Sequence, residues 1–315
     1  MARQAVRDGI VGALVLTEVV VVGLGAFARL VPSEVHTNSV LRVMDSLSLH
    51  LLIMGLLLVG VIAALGAIRV ALAAGLVTLT ALGFLLADQR QHSLPFVAAE
   101  GSVRVLWFNV LYDNVEKSAA IVDAIIEANP DLVVLGEAGA LVADMDRLAA
   151  NYDWITDCPD DHCEVVMLGR GESSAEEQRF GILRPGRYFT AELPVGGSML
   201  TVVGAHFVKP WFDGLAGTEQ WQLRNRVRKI EGPVLVVGDF NAAPWSNPVR
   251  WMMEGADLYS ARVPVATWPV GAGALGVPID QVFVGHGARL VSVEAFGDDL
   301  GSNHRGLLAE VTIPQ

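Results

Sequence analysis

Several things are scarce or missing in this chain of 315 residues, and each narrows what it can do. Positive charge is short: 22 Lys and Arg stand against 34 Asp and Glu, a net −12. From residue 91 onward the balance is 16 basic to 29 acidic, or −13, the reverse of the basic footprint that grips a nucleic-acid backbone. There is no Gly-x-Ser-x-Gly nucleophile elbow, no Walker loop, no His-Glu-x-x-His and no dinucleotide fingerprint. Serine-nucleophile hydrolases, P-loop enzymes, zincin proteases and Rossmann dehydrogenases are therefore set aside. Internal repeats and low-complexity tracts are also missing. Cysteine is limited to Cys158 and Cys163, separated by four residues. That spacing suits a hairpin-like disulfide, and hence an oxidising, extracytoplasmic compartment. Reduced surface thiols are the alternative, and a zinc site with His162 lacks two further ligands nearby.

What the sequence has in excess is apolar length near its start. Ile10 to Leu30, Leu47 to Leu65 and Ile68 to Ala87 each approach the ~20 residues needed to cross a hydrocarbon core. Three transmembrane helices are expected. Arg3 and Arg7 precede the first run as in a signal peptide, but the run is too long and no small-residue cleavage site follows. Glu18 and His50 are the main polar interruptions, and Glu18 has Thr78 as a candidate partner. The arginines are balanced between the two sides of the three spans, so the positive-inside rule gives no orientation. Three spans with the short basic N-terminus inside, and the cysteine pair, both expect a multi-pass cell-membrane protein whose C-terminal domain is extracytoplasmic. The layout reads as a membrane anchor over 1–90, a linker over 91–102 and one α/β domain over 103–315.

In that domain short β-rich runs alternate with amphipathic helices. Strands are expected at Val103 to Val110, Asp131 to Leu135, Cys163 to Leu168, Phe180 to Arg184, Met199 to Phe207, Val234 to Val237, Ile279 to Val284 and Leu307 to Ile313. Helices are expected at Glu116 to Asn129, Thr218 to Lys229 and Asn247 to Glu254. Polar residues gather where the strands end: Asn109, Glu137, His206, Gly238-Asp239-Phe240-Asn241, Pro278-Ile279-Asp280 and Gly301-Ser302-Asn303-His304. Singly, each has an ordinary role as a turn former, ion-pair partner or interior histidine. Together they supply a carboxylate for a hard cation, a base for water and donors for a phosphate.

This ordered set resembles the endonuclease/exonuclease/phosphatase family over nearly all of the second half. Gly238-Asp-Phe-Asn241 followed by Ala-Ala-Pro-Trp-Ser246 is its most specific piece. Thr267-Trp-Pro269 followed by Pro278-Ile-Asp280 is similar to bacterial membrane-anchored members. The resemblance implies a four-layer α/β/β/α sandwich and a metal-dependent phosphoric ester hydrolase using Mg²⁺ or Mn²⁺. It implies that Glu137 binds the metal with Asn109 beside it, that Asp239 activates the attacking water, and that Asn241 holds it or donates to the phosphorane oxygens. Asp280 would orient His304, which stabilises negative charge while His206 assists from the other side. Attack is expected in line, without a covalent intermediate. One departure stands out: Ser302-Asn303-His304 replaces the family's Ser-Asp-His, so a carboxylate near the metal becomes a carboxamide that ligates through its carbonyl oxygen.

The expected partners are a lipid bilayer and a phosphoester, with an envelope or lipid-associated substrate favoured and nucleic acid the less favoured one. Trp211, Phe212 and Leu215, soon after His206, suit a lipid interface or an acyl pocket, against the alternative of a core-covering loop. The rival functions are an extracytoplasmic nuclease and a phosphate-ligand sensor without turnover.

Overall fold

A computed structural model of the chain describes residues 2–30, 39–99, 101–157, 163–172, 175–177, 186–212 and 214–314. It divides into two compact units, residues 1–91 with 245–247, and residues 92–244 with 248–315.

The first unit is helical: α1 (Ala2–Leu30), α2 (Ser39–Ser46), α3 (Ser48–Ala64) and α4 (Ile68–Gln91). Two stretches, Ala2–Phe27 and Ile68–Gln91, are long and apolar enough to cross a membrane, at 26 and 24 residues. The middle run expected over Leu47 to Leu65 is α3, 17 residues long; α2 precedes it across a 65° bend, and the two count as a third span only when taken together. Gly55 of α3 marks where α1, α3 and α4 pack: a Cβ there would stand 2.5 Å from Val22 and 3.2 Å from Thr78. At the same level Thr78 donates its hydroxyl to Glu18 at 2.9 Å, and both residues are buried.

The second unit contains β1 (Ser93–Leu94), β2 (Val103–Asn109), α5 (Ser118–Ala128), β3 (Leu132–Gly136), α6 (Met145–Ala149), β4 (Trp154–Ile155), β5 (Val165–Gly169) and β6 (Glu176–Glu177). It continues with β7 (Tyr188–Val195), β8 (Ser198–His206), α7 (Leu215–Val227), β9 (Val234–Asp239), α8 (Asn247–Ala256), β10 (Leu258–Ala261), β11 (Asp280–Gly285), β12 (Arg289–Phe296) and β13 (Gly306–Thr312). One sheet has the order β1-β10-β11-β9-β8-β7-β6 and the other β12-β13-β2-β3-β5-β4.

The period-2 alternation of strand side chains builds the layers. On β2, Val105 and Trp107 face the core between the sheets, whereas Leu106 and Phe108 join Ile121, Val122 and Ile125 of α5 on the outside. On β9, Leu235 and Val237 face inward while Val234 and Val236 meet Leu223 and Val227 of α7. Each sheet thus buries one face on the other sheet and one on helices, a mixed α/β two-sheet sandwich.

Six strands were not among those expected: the two-residue β1, β4 and β6, and the longer β7, β10 and β12. In β7 the inward Phe189, Ala191, Leu193 and Val195 are interleaved with Glu192 and Pro194, which are exposed. Pro194 is tolerated there, although proline inside a run reads as a strand breaker. In β12 the polar Arg289, Ser292 and Glu294 dilute the apolar signal, as befits an edge strand. Strand β10 is only four residues long. The strand expected at Phe180 to Arg184 lies outside the described residues.

Candidate active site

The register explains how residues distant in sequence meet. In one sheet His206 pairs with Asp239 across parallel β8 and β9, and Asp239 pairs with Asp280 across antiparallel β9 and β11. In the other, Asn109 pairs with Gly136 across parallel β2 and β3, which puts Glu137 one residue past the strand end. Carboxyl ends of parallel strands leave backbone and side chains free to meet a ligand.

The side chains converge. Asn109 donates through Nδ2 to Asp239 Oδ2 at 3.2 Å and to Glu137 Oε1 at 3.4 Å. Its Oδ1 accepts the Leu111 N–H at 3.1 Å, and its amide bridges the Glu137 and Asp239 carboxylates. Glu137 Oε2 accepts the Tyr112 N–H at 3.2 Å. His206 Nε2 stands 3.7 Å from Glu137 Oε1 and 3.8 Å from Asp239 Oδ2, and His304 Nε2 is 3.9 Å from that same Asp239 oxygen. His304 Nδ1 lies 2.9 Å from Asp280 Oδ2. Asn241 donates its N–H to Asp239 Oδ1 at 2.8 Å and its side-chain amide to Phe207 O at 2.9 Å. Ser302 ties the loop before β13 to the end of its neighbour β2, donating to Asn109 O at 2.7 Å and accepting the His304 N–H at 3.0 Å.

Two of these residues hold a left-handed backbone, Asn241 at φ +50° and Glu137 at φ +53°. Asparagine adopts that region readily, glutamate does not, and such strain concentrates at functional sites.

The charges within the site are unequal in their surroundings. Burial, reinforced by the Asp280 carboxylate, pushes Asp239 up to about 6, against the pull of His304 and His206. Burial, the largest single influence, lowers His304, yet the carboxylates of Asp280, Asp239 and Glu137 together outweigh it and raise the imidazole to about 9. A carboxyl raised to about 6 thus faces an imidazole raised to about 9, an arrangement that suits acid–base chemistry at one centre.

Asp239, Asp280 and His304 cluster closely enough to suggest a cation site, with one donor atom of each within 4.8 Å of the others. Asp280, however, has one oxygen on His304 Nδ1 and the other on the Trp107 indole N–H at 2.8 Å. The carboxylate left to meet a hard divalent cation is Glu137, with Asp239 Oδ2 beside it, and carboxylate oxygens suit such an ion. Asn303 sits at the rim: its side chain is exposed and its backbone carbonyl accepts the Val270 N–H at 2.9 Å.

Behind His206 lies a group that the sequence reading missed. Arg187 donates through Nε to His206 O at 2.8 Å and through Nη1 to Glu164 Oε2 at 3.3 Å. That Glu164 oxygen is 2.9 Å from His206 Nδ1, an ion-pair contact whose angle falls short of a hydrogen bond. Glu219 of α7 is fully buried beside Arg187. Its sequence signal was present, since Glu219 lies one helical turn before Leu223 and two before Val227, on the apolar stripe. Cys163 is disulfide-bonded, while Cys158 lies outside the described residues.

Among solved structures, the chain is similar to D. rerio TDP2 complexed with a single-strand DNA product, with a TM-score of 0.55 and 18% identity over 68% of this chain and 100% of that one. Sphingomyelinase C from Streptomyces griseocarneus superposes with a TM-score of 0.50 and 19% identity, covering 66% of this chain and 99% of that one. The human Nocturnin catalytic domain with bound sulfate gives a TM-score of 0.50 and 16% identity, covering 68% and 94%. No curated protein sequence matches the chain with significance. The model of the Endonuclease/Exonuclease/phosphatase family matches residues 106–304, from the strand that carries Asn109 to His304 itself, and the chain belongs to that family.

Proposed function

We propose that the chain is a membrane-anchored phosphoester hydrolase dependent on Mg²⁺ or Mn²⁺. Residues 1–90 form the anchor, with α2 and α3 together as the second of three spans, 91–102 the linker and 103–315 the catalytic domain outside the cytoplasm. The observation that carries this reading is the meeting of Glu137, Asn109, His206, Asp239, Asp280 and His304 from the ends of both sheets, within hydrogen-bonding or ion-pair reach of one another.

Glu137 is the carboxylate that would hold the cation, with Asp239 Oδ2 beside it and Asn303 at the rim. When bound, that ion polarises a phosphoryl oxygen and offsets its charge. Asp239, held by the Asn241 N–H on one oxygen, orients a water with the other and takes its proton. Protonated His304, steadied by Asp280, donates toward the oxygens that gain charge, and His206 does so from the opposite side. Asn241 flanks the same oxygens. Attack runs in line, with no covalent intermediate.

A lipid or other envelope-associated ester is the favoured substrate. Trp211 and Phe212, 58% and 48% exposed on the loop after β8, suit an apolar interface. The acidic surface disfavours nucleic acid.

The test is hydrolysis by the purified full-length chain with Mg²⁺ or Mn²⁺, offered phospholipids, nucleotides, short DNA and a generic diester. Turnover abolished by EDTA, Glu137→Ala and His304→Ala is expected. A folded chain that binds metal and phosphoester but turns over none of them would replace the hydrolase with a sensor.

A further inference from the structure

Trp107 has no assigned part in the chemistry, yet it is fully buried and reaches from one sheet to the other. It belongs to β2, two residues before Asn109, and its Nε1–H donates to Oδ1 of Asp280, on β11 of the opposite sheet, at 2.8 Å. The ring has room because the residue it lies over on β3, two past its register partner Val134, is Gly136: a Cβ there would come within 2.8 Å of Trp107 Cη2. Asp280 is gripped elsewhere too, its backbone N–H donating at 3.1 Å to the hydroxyl of buried Thr267.

The chemistry of the donor matters. Two buried carboxylates, Asp239 and Asp280, lie close enough to compete for the same proton, imidazole or cation. An indole N–H only donates and does not titrate in this range, so it claims one oxygen of Asp280 and never takes the charge away. With Oδ1 claimed, Oδ2 is aimed at His304 Nδ1, and Asp280 is withdrawn from cation binding. A buried carboxylate oxygen stripped of its donor would instead turn to find another, because leaving it unsatisfied is costly.

We infer that Trp107 is a positioning residue, whose indole N–H, given space by Gly136, locks Asp280 into orienting His304 and leaves the cation to Glu137. The activity part of this inference rests on the hydrolase reading; the geometric part does not.

The experiment uses the full-length chain and the variant Trp107→Phe, which keeps an aromatic ring and removes the N–H. With bis(p-nitrophenyl) phosphate and Mn²⁺, kcat is expected to fall about tenfold, the usual scale for one lost hydrogen bond to a charged group, with KM within about twofold. The low-field proton resonance of His304 Nδ1–H should shift or broaden, a change that looser packing alone would not focus on that proton. If Trp107→Phe does not fold, Gly136→Ala decides, since it displaces the indole without deleting it and should produce the same resonance change. A folded variant with an unaltered resonance and kcat within about twofold overturns the inference. Should the wild-type chain hydrolyse nothing, the hydrolase reading fails, and the resonance still tests the Trp107 geometry.

Discussion

Glu219 accepts the Val208 N–H at 2.7 Å, and this bond ties helix α7 to the residue two past His206. The carboxyl is fully buried, and burial pushes it up to about 7, with the Arg187 guanidinium pulling the other way. Its folded value thus lies above the ordinary 4.5. The folded chain then holds a proton that the unfolded chain releases, so the stability Glu219 contributes is complete below pH 4.5 and is lost as pH rises through about 7. Thermal melts with EDTA should show Glu219→Gln matching the wild type near pH 5 and gaining on it near pH 8. Melting curves that move in parallel across that range would sink this account.

The acid and base limbs of the reaction should belong to different residues. Asp239 must be ionised to take a proton and His304 must be protonated to give one, so activity is expected to rise through about 6 and fall through about 9. Bound metal will draw the lower limb further down. Asp239→Asn should cost about 10²- to 10⁴-fold in kcat and remove the acid limb, as measured by kcat/KM against pH at fixed Mn²⁺. A variant that keeps the acid limb would move the base to another residue.

Replacing the rim carboxamide restores a charge. Asn303→Asp is expected to tighten Mn²⁺ binding by roughly tenfold, since the number of charged ligands tunes affinity for hard cations. Calorimetric titration of the full-length chain checks this. Unchanged affinity would mean that residue 303 faces away from the ion.

Trp211 and Phe212 offer a test of where the substrate resides. The double change to alanine should reduce hydrolysis of a phospholipid in vesicles by about tenfold while leaving a water-soluble diester within about twofold. An equal loss on both substrates would point to a packing role for the loop.

Much of the sandwich was legible in the sequence because its strands are buried on both faces. Leu132 to Leu135, within the expected Asp131 to Leu135, and Val234 to Val237 read as continuous apolar runs too short for helices. The site was legible for a related reason: Asn109, Glu137, His206 and Asp239 each interrupt such a run where it ends. What escaped were residues whose role depends on a partner distant in the chain. Trp107 looks like any other core aromatic until β11 brings Asp280 to its nitrogen, 173 residues away. Arg187 and Glu164 look like surface charges until β8 puts His206 between them. The bend between α2 and α3 was hidden as well, because apolar composition reports the length of a run and not its direction.

The left-handed backbone at Glu137 sets two demands on that residue against each other. Glycine would occupy φ +53° without the ~1 kcal/mol or more that a side chain costs there. Glu137→Gly should therefore raise the melting temperature of the metal-free chain while abolishing its cation site. Screening a mutant library for heat tolerance alone would discard the carboxylate first, and homologues that have lost catalysis should betray themselves by a glycine or asparagine at this one position.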